Sequence, residues 1–293
     1  MRKLYILSHS IGFRAFEDFC DGLKDHLSKA FNTYILIYED EAQIPEPSSN
    51  NEVYIFCGSI TPKYAKLTSS HSYRHIYLIN TEQSSRPLWD TIIGQYINLG
   101  VKMCDYDMYQ SLYISQKYER KIPYIPYILS AKEDKYLSNL LNSCKKNYHI
   151  AICSINKSRK RSAMFEKLKS IGLKVVDVEG WKKKRDSLIA ESLVLLNIHY
   201  DLEYNIFEHF RCDRWVLSGL LVVSEESKSS DCMDCKDLII FEKYDHVIDK
   251  IVDVVNNYDI YQSQHALNLS KNKCNILQTR INLVDELVRN INA

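Results

Sequence analysis

Short apolar runs separated by polar and charged stretches organise this chain. Residues 3–8 (KLYILS), 34–38 (YILIY), 53–57 (VYIFC) and 75–79 (HIYLI) are too short for helices and rich in Ile, Tyr and Val, so each predicts a buried strand. Residues 102–107 (KMCDYD) add a short fifth strand. After a turn at 10–13, Phe16, Phe19, Leu23 and Leu27 recur at helical spacing and predict a helix over 15–29. Residues 39–51 are acidic and carry Pro45 and Pro47, so they read as loop. Residues 121–129 (KIPYIPYIL) cannot be a helix interior, because each proline removes a backbone donor.

The second half repeats the alternation. Strands are expected at 148–153, 173–178, 220–223 and 238–241, with helices at about 162–171, 205–218 and 245–256. Gly172 and Gly219 stop the first two helices. Residues 154–161 and 180–186 read as polar, basic loops. The apolar run ending in 197–200 (LVLLNIHY) is a further strand, so residues 197–227 form one strand–helix–strand unit with its polar residues at the strand ends. Leu277, Ile281, Val284, Val288 and Ile291 mark a packed amphipathic helix. The class is α/β with parallel sheets. The expected organisation is a domain at 1–130, a linker at 131–147, a second domain at 148–256 and a helical tail at 257–293 that packs back on the body.

Composition adds exclusions. A length of 293 residues suits two domains, and a net charge of +1 argues against a surface built for nucleic acid or acidic lipid. No apolar run reaches the ~18 residues of a membrane span, and the run at 4–7 is too short for a signal peptide. Nine cysteines, an odd number lying mostly inside apolar runs, suit reduced thiols and a cytoplasmic protein. Tyrosine is abundant, 21 residues, with no functional meaning at this level.

Candidate chemistry gathers at strand ends. Glu208 and Arg211 are one helical turn apart and share a face, either to meet an anionic or hydroxylated ligand or as an ordinary surface ion pair. Ser154, Asn156 and Arg161 lie where a helix follows a strand, a natural anion site, although the glycines of a P-loop are missing. Trp181 and Arg185 belong to the next loop. His199 and Tyr200 end one strand of the central unit, and Ser224 and Glu226 end the other. In the first half, Asn80 and Glu82 follow the fourth strand. Glu82 is a candidate base, with His9 as its competitor, beside Gly12 and Phe13; the plain alternative makes Thr81 a helix cap. Asp105 and Asp107 form a DxD sequence expected to bind no metal. Cys232 and Cys235 form a lone CxxC without the second pair that zinc needs.

Residues 77–83 (YLINTEQ), 104–106 (CDY), 122–127 (IPYIPY), 185–187 together with 197–200, and 208–225 occur in an order that resembles a group of GT-B glycosyltransferases of giant viruses and bacteria. The resemblance implies two Rossmann-like domains facing across a cleft, a nucleotide-sugar donor on the second and an acceptor on the first. It implies hexosyl or deoxyhexosyl transfer to a glycan or other hydroxyl. Glu208 would then hold ribose, while Arg161, Arg185 or Arg211 would neutralise diphosphate in place of a metal. No cofactor is expected, since the nucleotide sugar is a substrate; UDP is the first expectation, with GDP and dTDP as alternatives. A monomer or homodimer is expected, with no nucleic acid and no transmembrane segment. In one departure, Arg214 stands where many relatives place a ribose-binding Glu. The rival readings are a silent GT-B scaffold and a nucleic-acid-binding protein using KSRKR and KKKR.

Overall fold

Two parallel sheets, each with its own core, carry the chain. The computed structural model describes residues 1–46, 52–67, 75–153 and 158–292. Two compact units result: the first comprises Met1–Ser130 and the chain from Leu277 onward, the second Ala131–Ile276. No helix among the described residues is long and apolar enough to cross a membrane.

The first unit runs β1 (Lys3–His9), α1 (Ser10–Leu27), β2 (Asn32–Tyr38), β3 (Glu52–Cys57), α2 (Pro62–Leu67), β4 (Ile76–Asn80), α3 (Pro87–Asn98), β5 (Lys102–Asp105) and α4 (Met108–Lys117). Its strands pair in parallel in the order β2-β1-β3-β4-β5. The abundant tyrosines find a use here. Tyr5 faces Tyr34 and Tyr54 across the ladder, with ring centroids 5.6 and 5.2 Å apart, and Tyr64 extends the row from α2. Such cross-strand aromatic pairs stabilise a sheet beyond simple burial.

The second unit runs α5 (Ala131–Ser143), β6 (Tyr148–Cys153), α6 (Arg159–Ser170), β7 (Val175–Val178), α7 (Lys182–Ala190), β8 (Ser192–Asn197), α8 (His209–Ser218), β9 (Leu221–Glu225), β10 (Ile240–Glu242), α9 (Val247–Asn256) and the start of α10 (Tyr258–Asn292). The order is β10-β9-β8-β6-β7, again all parallel. Helices α6 and α9 cover the sheet with Met164, Leu168, Val247, Ile251 and Val254. In each unit the order reverses beside the first strand, between β1 and β3 and between β6 and β8. That reversal opens a crevice at the carboxyl ends of the strands, where open α/β sheets bind ligands.

Several expectations need correction. The turn at 10–13 is the first turn of α1, because the His9 Nδ1 accepts the Ile11 N–H and caps the helix at the strand end. Gly12 therefore sits in a helix against Phe16, and Phe13 is buried in the core. Thr81 caps no helix, since α3 begins only at Pro87. The expected linker contains α5, held to the unit by Glu133 on Arg214 (2.7 Å) and Asp134 on Lys273 (2.7 Å). The basic loop at 180–186 is largely α7. The helix expected from 205 starts at His209, because Asn205 and Phe207 bond instead to Lys228 (2.9 Å) and Ser229 (3.1 Å). The last helix is α10; its buried seam is Ile276, Arg280, Val284, Leu287 and Ile291, shifted by one residue from part of the expected stripe. The Arg280 Nη1 donates to the Tyr127 carbonyl (3.0 Å), so a cation occupies a place that a hydropathy pattern assigns to an apolar residue.

Candidate functional site

The parallel register of the second sheet brings four strand ends level. Cys153 of β6 lies opposite Val178 of β7, and Asn197 of β8 lies opposite Ser224 of β9. Helix α6 begins beside this row. The Ser158 hydroxyl accepts the Arg161 N–H (3.2 Å), closing the first turn, and donates to the Tyr200 carbonyl. One serine thus caps α6 and ties it to the segment after β8. Arg161 is buried, with its Nε donating to the Ile198 carbonyl (2.7 Å) and its guanidinium 5.8 Å from the Tyr200 ring centre. Its Nη2 is also buried and makes no hydrogen bond.

Glu208 is the residue before α8, so its side chain lies at a helix start rather than on the helix face expected. One carboxylate oxygen is 3.6 Å from the Arg161 Nη2 and the other 3.7 Å from the Arg211 Nη2. Both are ion pairs, too long for hydrogen bonds. Arg211 also donates to the Asn197 Oδ1 (3.3 Å), and the Asn197 Nδ2 donates to the Ser224 hydroxyl (3.1 Å). Burial would push the Glu208 pKa up, but Arg211, Arg161, His199 and His209 outweigh it and hold the carboxyl below its usual range. Burial and the neighbouring Arg211 push Arg161 down to about 10, partly offset by Glu208, which leaves it charged at neutral pH. The Cys153 thiol, raised by burial, is drawn down by Arg211, Arg161 and Arg185, so these cations act together on the end of β6.

His199 is buried beside them. Its backbone N–H donates to the Glu225 Oε2 (3.1 Å), and its Nε2 lies 3.0 Å from the Glu226 carbonyl. A carbonyl only accepts, so Nε2 carries the hydrogen, and Nδ1 is a bare acceptor, buried and without a partner. Burial pushes the ring pKa below its usual 6.5, with Glu225 opposing. Below pH 6.5 the unfolded chain therefore binds more protons than the folded one. Stability is expected to fall as pH drops from 6.5 toward the lowered folded value, and to be level in this respect above 6.5. His265, also lowered by burial, has the same sign. Denaturant unfolding of His199→Gln between pH 6.5 and about 5 is expected to show a shallower slope. An unchanged slope removes His199 from the effect.

Of the other expected residues, Ser224 is buried at the sheet end and Glu226 is exposed at its rim. Trp181 is also exposed, at the start of α7. Arg185 pairs with its neighbour Asp186 (2.9 Å). Ser154 and Asn156 lie outside the described residues. Arg214, the odd residue in the family pattern, is buried between Asp186 (2.7 Å) and Glu133 (2.7 Å), and so joins α7 and α5 to α8. Of the basic run, Lys160 pairs with Glu225 and Arg161 is buried, which removes two cations from any nucleic-acid face. Glu225, in the polar strand end, and Ser158, in the basic loop, were not singled out. The spacing of a serine three residues before Arg161 was the available signal for the cap.

In the first unit, the Asn80 Nδ2 donates to the Asp105 Oδ2 (2.7 Å) and to the Glu82 carbonyl (2.9 Å), while its Oδ1 accepts the Glu82 N–H (3.2 Å). Glu82 is half-buried on this turn. Asp105 is buried and also accepts from the Asp107 N–H (2.9 Å), and Asp107 caps α4 through the Gln110 N–H (2.9 Å). The DxD carboxylates thus have structural work. Cys235 is buried and Cys232 half-buried beside a short helical turn.

No protein-family profile matches the chain. It is 32% identical over 257 residues to uncharacterized protein L140 of Acanthamoeba polyphaga mimivirus, covering 86% of this chain and 80% of that protein. The chain belongs to the L140 family. Uncharacterized protein L137 of the same virus is 32% identical over 220 residues, 72% of this chain and 28% of that protein. Among solved structures, the glycotransferase of kitacinnamycin superposes with a TM-score of 0.54 at 8% identity, covering 99% of both chains. T4 phage BGT, solved with UDP and Mn2+, gives 0.50 at 15% identity, over 99% of this chain and 100% of that one. The fold of this L140-family chain is that of the GT-B glycosyltransferases.

Proposed function

We propose that the protein is a glycosyltransferase that takes a sugar from a nucleotide diphosphate, UDP first, and that the second unit holds this donor. The observation that carries the reading is the Arg161 Nη2, a buried cationic donor without a hydrogen bond at the strand-order reversal. Buried polar groups are almost always satisfied, so an orphan here points to a ligand acceptor. A phosphate oxygen suits it, because a guanidinium matches phosphate in charge and geometry. Arg211 adds a second cation, and the His199 Nδ1 offers an acceptor to a hydroxyl or base N–H. The binding of UDP by BGT of T4 phage agrees with this assignment.

On the acceptor side Glu82 serves as the base in this reading. His9 competes poorly: its Nδ1 is committed to the Ile11 N–H, which leaves Nε2 as a donor rather than a base. Glu82→Gln is expected to lower kcat by about 10²–10⁴ with donor affinity unchanged. A kcat within twofold of wild type removes Glu82 from the chemistry.

The whole reading is tested by a thermal-shift screen of UDP-, GDP- and dTDP-sugars, followed by assays of hydrolysis and transfer. Stabilisation by a nucleotide with turnover is expected. No shift at millimolar concentration overturns the donor site, and binding without turnover leaves a scaffold. Because the two arginines supply positive charge to the leaving diphosphate, transfer is expected to persist in chelator. A divalent-ion requirement overturns that part.

A further inference from the structure

Glu208 is placed oddly for a residue that holds sugar hydroxyls. Its carboxylate spans two guanidiniums, at 3.6 Å from the Arg161 Nη2 and 3.7 Å from the Arg211 Nη2, and hydrogen-bonds to neither nitrogen. Arg161 has only 4% of its side chain exposed, whereas Glu208 has 26%, so the carboxylate has room to turn toward solvent. A buried cation needs a counter-charge, and here the chain provides one that neutralises without satisfying. The Arg161 Nη2 stays an orphan donor.

We infer that Glu208 is an internal stand-in for the ligand's phosphate, holding Arg161 and Arg211 in place until a diphosphate displaces it. This rests on the reading of the cluster as a diphosphate pocket. A phosphate that takes the Nη2 hydrogens brings a second anion against a carboxylate 3.6 Å from the same nitrogen, and the like charges repel, so phosphate entry and departure of the carboxylate form one exchange. The exchange holds the arginines ready and keeps them from adventitious anions. It also sets affinity, because each binding event breaks two ion pairs.

Calorimetric titration of wild type and Glu208→Gln with pyrophosphate, UDP and uridine tests it. Glutamine keeps the shape and removes the competing charge. Pyrophosphate and UDP are expected to bind about fivefold tighter to the variant, and uridine without change. Weaker UDP and uridine with unaltered pyrophosphate overturns the exchange and gives Glu208 the ribose. Equal affinities throughout also overturn it. Tighter pyrophosphate with no UDP binding in either protein upholds the exchange and overturns the nucleotide reading, whereas a wild type that binds neither anion overturns both. Should the variant not fold, a crystal structure of wild type with pyrophosphate decides. Both Glu208 ion pairs broken is the expected result, and both intact refutes it.

Discussion

Arg161→Met is expected to weaken UDP binding by about 100-fold, roughly 3 kcal/mol, while changing the melting temperature by only a few degrees. The two expectations have separate causes. Binding suffers because the variant loses a charge-assisted bond from the Nη2 and half of the positive charge that Arg161 and Arg211 present together. Stability changes little because two contributions oppose. The Nε bond to the Ile198 carbonyl is lost, at about 1 kcal/mol. Against that, a side chain only 4% exposed no longer has to carry a desolvated charge, and methionine fills the same space. Calorimetry with UDP and a melting curve without it measure both. An unchanged Kd in a folded variant removes Arg161 from the donor site.

Arg214→Met separates structure from binding in the opposite direction. Arg214 has 3% of its side chain exposed and bridges Asp186 of α7 and Glu133 of α5. Removing one partner of a buried ion pair leaves the others uncompensated, a loss of about 3 kcal/mol. Asp186 keeps Arg185, so the loss falls mainly on Glu133 and the hold of α5. The melting temperature is expected to fall by about 10 °C, with UDP affinity of the folded variant within twofold of wild type. Loss of UDP affinity at unchanged stability would return Arg214 to the ribose position that the family pattern suggested.

Strands were legible because each is a short, nearly continuous apolar run, the pattern that a parallel sheet covered by helices requires. Helix α7 was not, because its sequence opens with Lys182, Lys183, Lys184 and Arg185, and its buried side, Asp186, Ile189 and Ala190, becomes visible only when packed. Helix α5 read as a linker because only Leu137 is buried and charged residues fix it. Arg214 stood out only against the family's ribose-binding Glu, and its partner Glu133 lay in a segment assigned no structure. At the candidate site, Arg161 was legible from its place at a helix start after a strand. That its Nη2 lacks a hydrogen bond was not, nor was the carboxylate of Glu208 set between two cations. Both depend on where residues 198–208 fold back, which the Ser158 and Ser229 hydroxyls decide over long sequence separations.

The seam of α10 has a consequence for biosynthesis. Val284, Leu287 and Ile291 are buried in the first unit, where Asp285 bonds to His26 (2.7 Å) and the Ile291 carbonyl to Arg2 (3.0 Å). Everything that builds the second unit, Ala131–Ile276, leaves the ribosome before those residues do. At about 5–20 residues per second, β1 and α1 wait many seconds for the segment that covers them. The part of the chain made first is therefore completed last, and the apolar flank that these residues cover stays open in the interval.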